Sequence, residues 1–468
     1  IRNKIEEFKE SGKFVYAYND VYSQKNYYLS SVADSLFLNP VGAIDFKGLS
    51  TEILYYKDFE DKYGIKMEVI RHGKYKSAVE PYLSNKMSDA NREQTTSFLN
   101  SIWSEITEDI SVSRNISTEQ LNLIADNANG RNATIAKENK LIDAIIYEDE
   151  YKEKLKLDSD KKVNTISLED YIKSGKGRIS SISKDKIAVI YAQGQIMYGE
   201  GNEDIIGQGL TNRAIRKARK DKNVKAIVLR VNSPGGSALA SELIWRELEL
   251  AKKDKPLVVS MGNLAASGGY YIACNANKII AEPTTITGSI GVFGAIPNFN
   301  KLANNIGINA EQVSTNDSPN YSVFEPISKK FYDVTKEGVE QIYTTFVNRV
   351  AAGRNMTYEQ VNEIAQGRVW SGKEAINKGL VDKLGSLNDA IKIAAELADI
   401  ENYKIRNYPN YQKDLKEALS FSPFAKVSKE EILKEALGDE NYQLYNNINQ
   451  MKKLKGIQAR IPFIFQIK

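Results

Sequence analysis

Short apolar runs alternate with amphipathic stretches along much of the chain. KIAVIYAQGQI (186–196) and AIVLRV (226–231) are nearly continuous in apolar residues, as strands buried on both faces of a sheet are. ASELIWRELELAKK (240–253) spaces its apolar positions three and four apart and predicts a helix. PLVVSM (256–261) predicts a further strand, ASGGYYIACNA (266–276) a helix and KIIAE (278–282) a strand. Strands alternating with helices imply a mostly parallel α/β layer structure. The opening IRNKIEEF reads as an amphipathic helix with no capping residue before it, which raises the expectation that the front of the chain has been cut away.

The same rhythm occurs twice. FVYAYNDVYSQKNYYLSSVADSLFLNP (14–40) lies over LVVSMGNLAASGGYYIACNANKIIAEP (257–283), with Tyr27, Tyr28, Ala33 and Pro40 falling on Tyr270, Tyr271, Ala276 and Pro283. Glu80-Pro81 then matches Glu325-Pro326, and Ala136, Leu141 and Asp143 match Ala375, Leu380 and Asp382. The expected organisation is therefore a tandem duplication. A first copy over 1–150, truncated at its front, is followed by a Lys-, Asp- and Ser-rich linker over 151–185 and a second copy over 186–400. A polar, helical extension over 401–468 ends in a strand-like run from Arg460 that could tuck into either copy.

Composition narrows the chemistry. Across 468 residues, 64 Lys and Arg nearly balance 60 Asp and Glu, so a net charge of +4 supplies no basic field for nucleic acid. Cys274 and His72 are the only residues of their kinds, which excludes an intramolecular disulfide and any multi-Cys or His-rich metal site. No run approaches the ~18 apolar residues of a membrane helix, and no signal peptide stands at the front. The chain as given is expected to be soluble, with any anchor lost before residue 1. Neither a nucleotide loop nor a metal motif is present, so no cofactor is expected.

Two turns of the second copy draw attention. Asn232-Ser233-Pro234-Gly235-Gly236-Ser237 and Ala265-Ala266-Ser267-Gly268-Gly269-Tyr270 each follow a predicted strand and precede a helix. A serine on a tight strand-to-helix turn is exposed, and a neighbouring Gly-Gly loop can approach closely and point its N–H groups outward, so the two turns side by side would make an oxyanion hole. Such a serine needs a base. His72 is one candidate, and a lysine made neutral by burial is the other kind.

The motifs YSQKNYYLSSVAD, GKYKSAVEP, VNSPGGSALASE, MGNLAASGGYYIAC and TTITGSIGVFG resemble, in order and across both copies, the signal peptide peptidase A (protease IV) family in its long bacterial form. The resemblance implies a tandem Clp protease/crotonase-like fold and a membrane-anchored serine peptidase with a Ser/Lys dyad that degrades signal peptides. It implies Ser267 as nucleophile, Lys76 as general base, Gly236 and Gly268 as oxyanion donors, and Ser289 as the residue orienting the lysine. It also implies a homo-oligomer, a tetramer in this family, at the inner membrane with the catalytic region facing the periplasm.

The internal alignment bears on this independently. Ser267 falls on Gln24 of the first copy, and Lys76 falls on Tyr321 of the second, so each copy lacks what the other keeps. A crotonase-like acyl-CoA enzyme and a non-catalytic scaffold on a decayed peptidase are the rival readings. His72 is expected to be an exposed histidine beside Arg71, Lys74 to stay solvated, Cys274 to be a small core residue, and Glu80, which recurs as Glu325, to be structural. Arg230 and Asn232 either bind substrate backbone or cap.

Overall fold

The computed structural model describes residues 1–157, 164–176, 182–410, Gly438 and 458–460. Its contacts divide into two compact units, whose described residues are 1–52, 99–157 and 164–176 in one and 53–98, 182–410, 438 and 458–460 in the other. The division does not follow the repeat, because residues 53–98, which belong to the first copy by sequence, fold with the unit that carries Ser267.

In the first unit, strands Tyr16–Tyr22, Ser35–Ile44 and Ala144–Ile145 pair in parallel in that order. Tyr22, Tyr27, Leu36, Leu38 and Phe46 form its core with Ile110, Leu121 and Leu141. The opening helix Arg2–Glu10 has no side-chain cap, as its sequence predicts, and is tied down by Arg2, which donates to Ser31 Oγ (2.7 Å) and to the Asp109 carbonyl (3.1 Å). The stretch expected to be a linker carries helices Glu148–Leu157 and Leu168–Ser174, the second capped by Ser167.

The second unit is built on an eight-stranded sheet, with Val369–Ser371, Ile286–Gly288, Leu257–Ala266, Val224–Ser233, Lys186–Gln193 and Lys404–Tyr408 as neighbours in that order. Lys278–Ala281 also pairs with Leu257–Ala266, and all these pairings are parallel except that of Val369–Ser371. The continuous apolar runs have a physical reason here. Ala188, Ile190, Leu229, Val231 and Val259 enter one buried cluster, while the intervening Ile187, Val189, Val228 and Val258 enter another with helix Leu387–Leu397. Both sheet faces are covered, so both sets of alternating positions must be apolar.

Lys404–Tyr408 is a strand, not the start of a helical extension; beside Lys186–Gln193 it completes the sheet edge. The strand-like run expected from Arg460 onward lies, past that residue, outside the described residues. A second, six-stranded sheet orders Lys66–His72, Val292–Asn298, Gln458–Arg460, Gly235–Ser237, Gln195–Met197 and Ile205–Gly207. Among the described residues, no helix is long and apolar enough to cross a membrane.

Candidate active site

Strand Leu257–Ala266 runs through the middle of the eight-stranded sheet and ends at Ser267, where the chain turns sharply into helix Gly268–Ala273. Ser267 adopts φ +57° and ψ −117°, a conformation uncommon for a residue with a side chain. Bonds on both sides hold it there: its N–H donates to the Gly288 carbonyl at 2.8 Å, and its own carbonyl accepts from Tyr271 N at 2.8 Å. Ser289, after strand Ile286–Gly288, is likewise left-handed at φ +49°, and its N–H donates to the Arg368 carbonyl at 2.6 Å.

Lys76 arrives from a different part of the sequence but the same unit. Strand Lys66–His72 pairs antiparallel with Val292–Asn298, which brings the turn at Gly73 and the following residues beside Ser289. Tyr75 N donates to the Gln366 carbonyl at 2.8 Å. The fit is close: a methyl group added at Gly367 would lie 2.7 Å from Lys76 N, Cα and Cβ, and one at Gly73 would lie 2.5 Å from the Gln366 carbonyl carbon. Lys76 Nζ then lies 2.9 Å from Ser267 Oγ, 3.1 Å from Ser289 Oγ and 3.2 Å from the Ser289 carbonyl oxygen. All three side chains are fully buried. Burial pushes the Lys76 ammonium well below the ordinary lysine range.

The Gly-Gly turn stands next to this cluster. Gly235 and Gly236 have φ +90° and +156°, and a methyl group at Gly236 would collide with the Ile196 carbonyl oxygen at 1.9 Å, so only glycine fits. A methyl at Gly235 would lie 2.6 Å from Gly268 N, which places the two glycine turns in contact. Strand Gln458–Arg460 pairs antiparallel with Gly235–Ser237 and with Phe293, and packs on helix Gly268–Ala273. Ser267, expected to be exposed on its turn, is thereby closed in.

The structure thus brings Ser267, Lys76, Ser289, Gly236 and Gly268 together in one unit. The other candidates are accounted for. His72 is half-buried where exposure was expected: its Nδ1 lies 2.5 Å from Glu340 Oε2, and its ring stacks on Tyr343 with centroids 3.6 Å apart. Lys74 is exposed, over the Tyr75 ring. Burial raises the Cys274 thiol to about 12, which leaves it a small core residue. Glu80 is buried and accepts from Asn91 Nδ2 at 2.6 Å. Arg230 donates to Ser260 Oγ and the Met261 carbonyl, and Asn232 Oδ1 accepts from Leu264 N, so both brace neighbouring strands. Two contributors have no signal in the sequence reading: the Gln366-Gly367-Arg368 turn that grips Lys76 and Ser289, and Ala459 on the Gly-Gly edge. The glycine at 367, with φ +79°, is the one feature that could have marked the first.

A serine on a strained turn beside a buried lysine and two glycine turns is the arrangement of a serine peptidase. The model of peptidase family S49 matches residues 7–164 and 249–401, and the chain belongs to that family. Two separate matches to one model make it a tandem duplication. The chain is 40% identical over 415 residues to Protease 4 of Haemophilus influenzae, covering 85% of this chain and 67% of that protein. It is 36% identical over 413 residues to the chloroplastic serine protease SPPA of Arabidopsis thaliana, covering 86% of this chain and 61% of that one. The chain therefore spans about two thirds of the length of these relatives. Among solved structures, a mutant of ClpP1 from Listeria monocytogenes matches 43% of this chain and 94% of its own, at 15% identity and a TM-score of 0.30.

Proposed function

We propose that Ser267 and Lys76 form a Ser/Lys dyad with which this S49 peptidase hydrolyses apolar peptides, cleaved signal peptides among them. The observation that carries the reading is Lys76 Nζ at 2.9 Å from Ser267 Oγ, fully buried and without a carboxylate partner among the described residues. Burial favours the neutral amine over the ammonium, and a neutral Lys76 can take the hydroxyl proton as Oγ attacks the scissile carbonyl. Ser289 Oγ and its carbonyl orient the amine, and receive its N–H bonds as it becomes an ammonium. The N–H groups of Gly236 and Gly268 serve the oxyanion, and the protonated Lys76 returns its proton to the leaving amine. A peptide would bind as an added strand on Gly235–Ser237, main-chain bonds supplying affinity and the small residues around Ser267 selecting small side chains.

The family resemblance extends this reading to a membrane-attached homo-oligomer, a tetramer, at the inner membrane and facing the periplasm. Mass mapping of a serine-directed acylating probe tests the chemistry. The label is expected on Ser267, and Ser267→Ala should abolish both labelling and peptide-ester hydrolysis while leaving the fold intact. A crotonase-like enzyme would instead turn over acyl-CoA thioesters in the Ser267→Ala variant, and a scaffold would take no label at all.

A further inference from the structure

A side chain that takes no part in the proton transfer holds the loop of Lys76 in place. Gln94 lies near the start of helix Asp89–Arg114 and is only 1% exposed. Its Nε2 donates to the Tyr75 carbonyl at 3.1 Å and to Ser77 Oγ at 2.9 Å, the residues on either side of Lys76. Its Oε1 accepts from Val369 N at 3.3 Å. A carbonyl at one end and an N–H at the other leave the amide a single orientation. Asn91 Oδ1 lies 3.2 Å from the same Nε2, and both Ser77 and Asn91 are buried.

Both ends of this bridge lead to the dyad. Val369 pairs antiparallel with Gly288, the residue before Ser289, and the neighbouring Arg368 carbonyl accepts from Ser289 N at 2.6 Å. One planar group therefore joins the backbone on both sides of the base to the backbone beside the serine that orients it. An apolar side chain of the same length would fill the volume but would not fix that spacing.

We infer that Gln94 is a positioning residue for the Ser/Lys centre, setting the Tyr75-Lys76-Ser77 backbone against Ser289; this rests on the dyad reading above. With the amide in place, Lys76 Nζ meets Ser267 Oγ, Ser289 Oγ and the Ser289 carbonyl at once. Without it the two segments reseat and the amine leaves that alignment. A misplacement of about 1 Å at such a group costs on the order of 10²-fold in rate. Gln94 itself touches neither Ser267 Oγ nor Lys76 Nζ among its hydrogen bonds.

Steady-state hydrolysis of a peptide ester by the full chain at alkaline pH, with sites counted by a serine-directed acylating probe taken to completion, tests this. Gln94→Met keeps the length but neither donates nor accepts as an amide does, and is expected to lower kcat per labelled site by about 10–10²-fold, with KM within about twofold of wild type. Gln94→Glu keeps the shape and an acceptor for Val369 N, but its carboxylate has no hydrogen for Tyr75 or Ser77; it should lower kcat per site in the same sense, and it carries the test if the Met variant does not fold. Thr95→Val removes a bond from the same buried network, that of Thr95 Oγ1 to Asn91 Oδ1 at 3.4 Å, without touching the residues beside Lys76, and should leave kcat per site unchanged. A kcat per site within about twofold of wild type in a folded Gln94 variant, or a loss seen only as fewer labelled sites, would overturn the inference and leave the dyad standing. An equal fall in Thr95→Val would overturn it as well. Wild-type hydrolysis by Ser267→Ala would bring down the dyad reading and this inference with it.

Discussion

The two copies of the repeat keep the same internal fastenings and differ at the turn that carries Ser267 in the second. Tyr27 O–H donates to the Leu141 carbonyl at 3.0 Å, and Tyr270 O–H donates to the Leu380 carbonyl at 2.9 Å. Asp143 accepts from Leu36 N and Asp382 from Ile279 N, both at 2.7 Å. The ion pairs Arg114–Asp143 and Arg354–Asp382 both measure 2.9 Å, and each arginine ends a 26-residue helix that is followed by a left-handed asparagine, Asn115 or Asn355. The turns contrast. Where the second copy has Ser267 at φ +57°, the first has Gln24 inside helix Gln24–Ser30, its side chain accepting from Lys47 N and Gly48 N and donating to the Gly48 carbonyl. Bonds that hold a strand to a helix were kept in both copies, whereas the strained turn persists only where a reaction would use it.

The strongest way to sharpen this contrast is to act on the base. Lys76→Arg keeps a side chain of similar length but carries a guanidinium that cannot shed its proton, and should lower peptide-ester hydrolysis by about 10²–10⁴-fold in steady-state assays. Wild-type activity should rise with pH, with a midpoint below the ~10.4 of a free lysine, because only neutral Lys76 accepts the proton. Stability should move in a related way. The unfolded chain takes up a proton at Lys76 that the folded chain resists, so the lysine destabilises the fold most at low pH, and the effect fades as pH rises from the lowered native value towards ~10.4. Lys76→Met, inactive, should therefore melt above wild type at neutral pH, and the difference should shrink at alkaline pH. Equal melting temperatures at both pH values would show that Lys76 titrates normally.

Gln24→Ser works from the other side of the comparison. It restores the residue type of the second copy but removes three hydrogen bonds that close the Lys47-Gly48 turn. A loss of about 1–3 kcal/mol in denaturant unfolding is expected, with no second site labelled by a serine-directed probe. Double labelling would mean that the first copy retains a latent centre.

Much of this was legible in the chain because the informative residues are those whose chemistry admits few substitutes. The duplication showed through Tyr27, Asp143 and their counterparts, each of which fastens a strand end. The buried strands of the second copy showed through runs such as KIAVIYAQGQI, since a sheet covered on both faces tolerates no polar alternation. The way the copies share out their segments was not legible. A lysine found only in the first copy and a serine found only in the second read as two half-sites, whereas residues 53–98 fold with the serine and add the strand Lys66–His72 to its six-stranded sheet. A chain cut at residue 170 therefore loses a strand along with Lys76. The strand Lys404–Tyr408 was hidden for another reason: KIRNY is polar because it forms a sheet edge, and edges lack the apolar run that marks a central strand.

The shared fastenings supply graded tests. Asp382→Asn strands the Arg354 guanidinium, and Asp143→Asn strands that of Arg114. Both arginine side chains are 8% exposed, while the carboxylates are 22% exposed at Asp382 and 41% at Asp143. Breaking a well-buried pair costs about 3–5 kcal/mol and an exposed one under about 1. Asp382→Asn should therefore fall between these limits, and Asp143→Asn nearer the lower one. An equal loss at both positions in urea unfolding would mean that the strand-end hydrogen bonds, which the two copies share, dominate over the ion pairs.

The smallest effect is also the strictest test of equivalence. Tyr27→Phe and Tyr270→Phe each remove one hydroxyl from a fully buried ring and leave one backbone carbonyl without its donor, with no change in shape. The expected cost is about 1 kcal/mol at each site. Each ring lies in its own unit's core, so the two losses should add in the double variant, as they do for sites that share no partners. The Tyr270 ring belongs to the helix that begins at Ser267, so its loss should also raise amide exchange around residues 268–273, while Tyr27→Phe leaves that helix unchanged. Faster exchange at 268–273 in Tyr27→Phe would show that the fastening in one copy supports the catalytic turn of the other, and that the two copies are not independent.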